Sequence, residues 1–439
     1  MQPDPAKMEA AAVGYVMAES ISIGWKRRLI TNQEGAVKPI LANAIIALTQ
    51  APDWQGVLAY SEFSMATIAR KPPPWPDSIA GIEWSDHEDR RATEWLQHNG
   101  IYVGVEIAAQ AVQVAAKAHS FHAVREYLDN LIWDGTERIR TWLSLYLGVE
   151  HSDYASAVGS RWLIQAVARI YRPGVKADTC LILEGEQGTL KSTALKTLGG
   201  VWFTDEIAEL GTKDASLQTL GVWIIELSEL DSMSRGEVSR IKSFMTRATD
   251  RFRPPYGRRI ITSPRQCVFA GSVNHNTYLR DDTGGRRFWP VQCGRIDIKS
   301  LSRDRDQLWA EAAVQYKIGS VWWLDSKALN SQAEEQQADR LEDDPWQTPL
   351  SEWCIEQWNS GETSVSIADA LRLCIQKPKE RWVQADLNRV SRGFRVLKLR
   401  RQRLGSRDNR EWRYYPTPGE LQPALNEIPP EPVEFQGEL

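Results

Sequence analysis

Five cysteines in 439 residues, none in Cys-x-x-Cys or His–Cys spacing, leave no ligand set for a structural zinc and no disulfide framework. Cys180, Cys267, Cys293, Cys354 and Cys374 are odd in number and far apart, the pattern of a chain kept in a reducing cytosol. No apolar run reaches the roughly 18 residues that a membrane span needs, and the amino terminus lacks the basic-then-apolar order of a signal peptide. Excess positive charge is also missing: the formal net charge is −4, so any nucleic-acid surface has to be local. Within the N-terminal third there are no paired Asp-x-Asp carboxylates, which argues against a polymerase or primase centre there. What is present is an ordinary soluble composition, 42% hydrophobic and 25% charged, long enough for two or three domains. The expected location is the cytoplasm.

The pattern changes along the chain. Residues 1–150 read as a mixed, mostly helical domain suited to docking or assembly, with helical spacing over Asp89–His98, Ile107–Lys117 and Tyr127–Leu147. Lys71-Pro-Pro-Pro-Trp-Pro76 interrupts it. Over 151–330, apolar runs at Cys180–Leu183, Trp223–Ile225, Cys267–Ser272 and Arg287–Val291 alternate with helices, which predicts an α/β layer with a largely parallel sheet. Residues 331–349 read as an exposed acidic helix and linker. Residues 350–416 give helices at Leu350–Trp358, Ile367–Ile375 and Gln384–Leu397, then strands at Arg400–Leu404 and Glu411–Tyr415, the order of a winged helix. The Pro- and Glu-rich residues 417–439 are expected to be disordered.

Within the α/β region, Leu181-Ile-Leu-Glu-Gly-Glu-Gln-Gly-Thr-Leu-Lys-Ser-Thr193 runs from an apolar strand through a glycine-bearing turn into a helix. That order predicts a phosphate-binding P-loop, because turn N–H groups and the helix N-terminus both favour an anion. Gly185, Glu186, Gln187, Gly188, Thr189, Leu190, Lys191, Ser192 and Thr193 form the expected cradle for ATP. Lys191 would neutralise the β/γ-phosphate oxygens, and Ser192 would complete a Mg²⁺ shell. Leu190 stands where the G-x-x-x-x-G-K-[ST] pattern has its second glycine, so a Cβ has to be accommodated there. A strand-to-helix turn with an incidental lysine gives a similar local pattern; the residues downstream favour the nucleotide.

Gly221-Val-Trp-Ile-Ile-Glu-Leu-Ser-Glu229 is an apolar strand ending in two carboxylates. Glu226 is assigned the metal and Glu229 the attacking water. Cys267-Val-Phe-Ala-Gly-Ser-Val-Asn274 ends in an amide, and Asn274 is the candidate γ-phosphate sensor. Arg286 and Arg287 lie on an expected turn before a strand, where a guanidinium could reach the γ-phosphate of a neighbouring subunit. Between these motifs, residues 241–259 are basic with interleaved aromatics, and Lys242, Arg253, Tyr256, Arg258 and Arg259 are candidates for DNA. Arg392, Arg400 and Arg401 form a second basic patch in the C-terminal region. Either patch read alone is equally an ordinary solvated surface.

Together these blocks resemble the virulence-associated protein E family of P-loop ATPases, found in prophages and mobile genetic islands. The resemblance covers roughly residues 120–325. It runs from Tyr127-Leu-Asp-Asn-Leu-Ile-Trp-Asp-Gly135 through the loop and Glu226-Leu-Ser-Glu-Leu230 to Asp250-Arg-Phe-Arg-Pro-Pro-Tyr-Gly257 and Thr283-Gly-Gly-Arg-Arg-Phe-Trp289. The family is similar to superfamily 3 helicases of the AAA+ class. The resemblance implies a DNA motor using ATP and Mg²⁺, acting on single-stranded or forked DNA as a homo-oligomeric, hexameric ring alongside primase or other replication proteins, with Arg286 or Arg287 acting in trans. The rival expectation is a nucleotide-regulated DNA-binding or assembly protein that separates no strands.

Overall fold

The computed structural model describes residues 24–206, 213–228, 235–253, 259–274, 285–340, 345–404 and 411–416. It divides into two units, residues 1–341 and 342–439.

In the first unit, helix α1 (Leu41–Gln50) precedes strands β1 (Leu58–Ser61), β2 (Ala66–Ala69) and β3 (Ile82–Glu83). Helices α2 (Asp86–His98) and α3 (Val105–Lys117) and strand β4 (Ser120–Phe121) follow, and the sheet order is β3-β2-β1-β4. Ser85 starts α2 by a capping box with Glu88. Trp54, 2% exposed, packs against Trp75, Trp84 and Trp95 at centroid distances of 5.9, 6.1 and 5.6 Å. The expected helices are present; the sheet beside them was not foreseen, because strands of two to four residues are too short to show a period.

Helices α4 (Ala123–Asn130) and α5 (Trp142–Leu147) flank Trp133-Asp-Gly135, and the long α6 (Asp153–Tyr171) leads into the second sheet. This sheet contains β5 (Cys180–Glu184), β6 (Phe203–Thr204), β7 (Ile224–Ser228), β10 (Val268–Val273) and β11 (Phe288–Gln292), all parallel, in the order β11-β5-β10-β7-β6. Side chains alternate along each strand. Leu181 and Leu183 therefore join the core with Trp162 of α6 and Trp309, while Cys180 and Ile182 join Ile241, Phe244 and Met245 on the other face. Burial on both faces explains why these strands read as unbroken apolar runs.

Helices α7 (Lys191–Gly199), α8 (Lys213–Gln218), α9 (Arg235–Met245), α10 (Ile298–Lys317) and α11 (Lys327–Ala338) complete the unit with a separate hairpin, β8 (Thr249–Phe252) and β9 (Ile261–Pro264). At the hairpin base Arg265 meets Asp250 at 2.7 Å, the two side chains 0% and 2% exposed. Helix α11 departs from the exposed acidic helix expected there: Ala333 and Gln337 are buried, and the Gln337 amide donates to the Phe288 carbonyl at 2.9 Å. Its charge pattern described only the outer face.

The second unit holds α12 (Gln347–Asn359), β12 (Val365–Ser366), α13 (Gln384–Val396), β13 (Arg400–Leu404) and β14 (Glu411–Tyr415), with sheet order β12-β14-β13. The helix expected over Ile367–Ile375 is present over Ile367–Cys374, an α-turn at Ile367–Asp369 that widens into a π-helix over Ala370–Cys374, with Ile375 N–H donating to the Ala370 carbonyl. Leu350, Leu371, Val390, Phe394 and Tyr414 form its core.

Candidate functional site

Strand β5 delivers Glu184 to the carboxyl edge of the sheet, and the turn after it bends on Gly185 (φ 152°) and Gly188 (φ 83°). Leu190 takes the left-handed conformation itself, φ 68° and ψ 22°, and then α7 begins at Lys191. Its side chain is 49% exposed, so the geometry that glycine favours is reached without crowding the Cβ. Thr189 Oγ1 donates to the Glu186 carbonyl at 2.8 Å and braces the turn. Gln187, Gly188, Ser192 and Thr193 are exposed around it.

Lys191 is only 6% exposed. Its ammonium donates to the carbonyls of Gly185 and Glu186 at 2.7 and 2.8 Å and to Thr189 Oγ1 and Asn274 Oδ1 at 3.3 Å each. Asn274, just past β10, is therefore brought to the turn from a segment 83 residues away. Glu226 on β7 is fully buried, and its Oε1 accepts from Ser192 Oγ at 2.7 Å and from Ser272 Oγ at 2.6 Å. Glu226 Oε2 is buried with no hydrogen-bond partner among the described residues. Because β10 lies between β5 and β7, Ser272 is carried into the cluster by the intervening strand. Sequence reasoning missed Ser272: it lies inside an apolar run, and only the strand register shows it opposite Ser228 and Leu183.

A second feature missed in the sequence is the pair behind the turn. Arg340 Nε and Nη2 meet Glu184 Oε1 and Oε2 at 2.6 and 2.7 Å, with Glu184 fully buried. The partners are 156 residues apart, and Arg340 resembles any basic residue near a helix end.

Arg286 and Arg287 lie elsewhere. β11 runs parallel to β5 with Phe288 opposite Cys180, so both arginines sit at the amino edge of the sheet, a strand length of about 16 Å from the turn. There they line a cavity of 490 Å³ with Asp178, Trp322 and Trp323. Arg286 is exposed, while Arg287 approaches Asp178 at 3.9 Å.

Of the DNA candidates, Arg253 and Arg259 are exposed at the two ends of the β8–β9 connection, and Arg400 and Arg401 are exposed on β13. Arg392, on α13, is half-buried. Lys242 departs from the expectation: it is 7% exposed, with its ammonium 5.8 Å from the Phe288 ring centre, covered by α9 packing instead of facing solvent. Its place in a basic segment hid its position on the inner side of a helix. Glu229, Tyr256 and Arg258 lie outside the described residues.

Residues 128–342 match the virulence-associated protein E-like domain. The family resemblance drawn from the sequence is thereby borne out over this stretch. A comparison with curated proteins gives no match. Among solved structures, the apo C-terminal region of NrS-1 is similar at 12% identity, with a TM-score of 0.45 over 82% of this chain and 96% of that one. The A form of that region gives 0.47 at the same identity, over 87% of this chain and all of the other.

Among the described residues no three of His, Cys, Asp and Glu come together as a metal-holding group, and no helix is long and apolar enough to cross a membrane. None of the five cysteines is in a disulfide.

Proposed function

We propose that the chain is an ATP-hydrolysing, DNA-binding motor serving replication of a phage or mobile element, with ATP as substrate and several copies acting as a ring. The observation that carries this reading is the convergence of Lys191, Ser192, Glu226, Ser272 and Asn274 on one edge of a parallel sheet, from three strands' ends. The strand-turn-helix offers backbone N–H groups and a helix N-terminus to phosphate oxygens, and Lys191 adds the positive charge beside them.

The donor set also fits a divalent cation of the Mg²⁺ type. A hard cation takes oxygen ligands, and here a serine hydroxyl touches a buried carboxylate whose second oxygen has no partner among the described residues. Ser192 and Glu226 would hold it. Bound there with the nucleotide, it would neutralise charge on the β- and γ-phosphoryl oxygens. Ser272 holds the carboxylate in place through Oε1, and Asn274, whose Oδ1 accepts from the Lys191 ammonium, would sense the γ-phosphate. Glu229, three residues beyond Glu226, is retained as the group that orients the attacking water.

Arg286 and Arg287, about a strand's length from the turn, lie too far away to serve the nucleotide of their own chain, and the ring reading has one of them act on a neighbouring copy. Arg253, Arg259, Arg392, Arg400 and Arg401 supply basic surface for DNA. The test is ATP hydrolysis with and without single-stranded DNA, in wild type and Lys191→Ala. DNA-stimulated hydrolysis lost in the variant is the expected result. Absence of Mg²⁺-dependent hydrolysis at every protein concentration overturns the proposal.

A further inference from the structure

The hairpin β13–β14 pairs Arg403 with Trp412 and Arg401 with Tyr414, so these four side chains share one face of the ribbon. Tyr414 is buried against Phe394 of α13 at a centroid distance of 4.8 Å, which anchors the inner end of that face in the core. Farther out, Trp412 is 41% exposed. The Arg401 guanidinium carbon lies 3.6 Å from its ring centre and that of Arg403 5.6 Å. Both arginines are exposed, as are Lys398 and Arg400 just before them.

A surface indole flanked by guanidinium groups has a plain structural use, since each cation–π contact contributes roughly 0.5–1 kcal/mol to an exposed hairpin. That use does not call for several further cations beside it, nor for two-fifths of a tryptophan left in water. The combination has the chemistry of a surface for an unpaired nucleotide: the part of the indole that Arg401 leaves in water for the base, and guanidinium groups for the phosphates on either side. A duplex presents its phosphates but keeps base faces stacked inside, so it could use the arginines and leave the indole idle.

We propose that the β13–β14 face formed by Arg401, Arg403 and Trp412 is a stacking ledge for single-stranded nucleic acid, and that Trp412 is what lets this chain prefer single strands to duplex. The proposal rests on the nucleic-acid reading above but not on ATP hydrolysis.

The experiment measures fluorescence anisotropy of a labelled oligothymidylate, and of a duplex of equal length, with the full chain and no nucleotide. Trp412→Ala is expected to weaken single-strand binding about ten-fold, within the range for one lost base stack, and to leave duplex binding nearly unchanged. Trp412→Phe keeps a packed aromatic and restores most of the loss, which separates stacking from a damaged hairpin. Arg403→Gln weakens both ligands and lowers the salt slope by about one. Equal loss on strand and duplex in Trp412→Ala, or no loss on the strand, overturns the ledge while leaving DNA binding intact. No binding of either ligand by wild type overturns both the ledge and the nucleic-acid reading.

Discussion

Arg340 grips Glu184 with two parallel hydrogen bonds, and Glu184 is the last residue of β5 before the turn that leads to Lys191. The residue that aims the turn is thus tied to the end of α11, far along the chain. Breaking such a pair from one side leaves a buried charge uncompensated, which costs about 3–5 kcal/mol. Arg340→Ala is expected to lower the denaturation midpoint accordingly. The double variant Glu184→Gln/Arg340→Met should recover a large part of the loss, because no charge is stranded. Urea titration of both checks this, and equal destabilisation by single and double variants would refute it.

Ser272, on β10, donates to the same Glu226 carboxylate oxygen as Ser192, in the first turn of α7. Residues that orient a metal ligand typically carry 10–100-fold in affinity or activity. On the proposed ATPase reading, Ser272→Ala is expected to reduce ATP turnover by about ten-fold and to raise the Mg²⁺ concentration needed for half-maximal rate, with little change in stability. A rate loss without any shift in Mg²⁺ dependence would show that the serine does something other than position Glu226.

Leu190 holds a left-handed backbone that costs a residue with a Cβ roughly 1–2 kcal/mol, and its exposed side chain offers little packing in return. Glycine would remove that strain but cost about 0.5–1 kcal/mol in chain entropy. Leu190→Gly is therefore expected to be neutral to slightly stabilising, with ATP turnover kept or increased. Calorimetry and steady-state assays decide it; a drop in stability above about 1 kcal/mol would mean that the leucine side chain has a role of its own.

His122 gives a pH dependence whose sign can be worked out. It is 5% exposed, its Nδ1 accepts from the Arg125 N–H at 3.2 Å, and its Nε2 lies 2.6 Å from Gln266 Oε1. Burial pushes its pKa below the ordinary histidine value, the Gln266 contact opposing this only in part. Between those two values the unfolded chain binds a proton that the native chain refuses, so stability is full above the ordinary value and falls as pH drops through it. His122→Asn, which can still cap α4, should flatten the difference in unfolding free energy measured at pH 7.5 and 5.5. An unchanged slope would assign the acid sensitivity to other groups.

The sequence carried the local parts of the site and little of its closure. Strand, turn and helix around Lys191 were readable because Gly185, Gly188 and Lys191 are consecutive in space as in the chain. The strands Arg400–Leu404 and Glu411–Tyr415 were read at the bounds observed, since a polar turn separates two alternating runs. Ser272, Arg340 and Gln266 escaped notice because each acts across the sheet or between distant elements, where neither period nor spacing leaves a mark. Lys242 was misplaced for the complementary reason: charge composition says nothing about which side of a helix meets the core.

The strand order β11-β5-β10-β7-β6 has a consequence for how freely this chain can vary. Ser192 and Glu226 meet because α7 starts just past the end of β5 while β7 lies on the other side of β10, so both side chains reach the same edge of the sheet. The 33 residues between them do not set their separation. Only the connections in that interval, outside α7, β6 and β7, can lengthen, shorten or acquire new partners while the carboxylate and the hydroxyl stay together, so novelty in this chain is cheapest where it is farthest from the ladder.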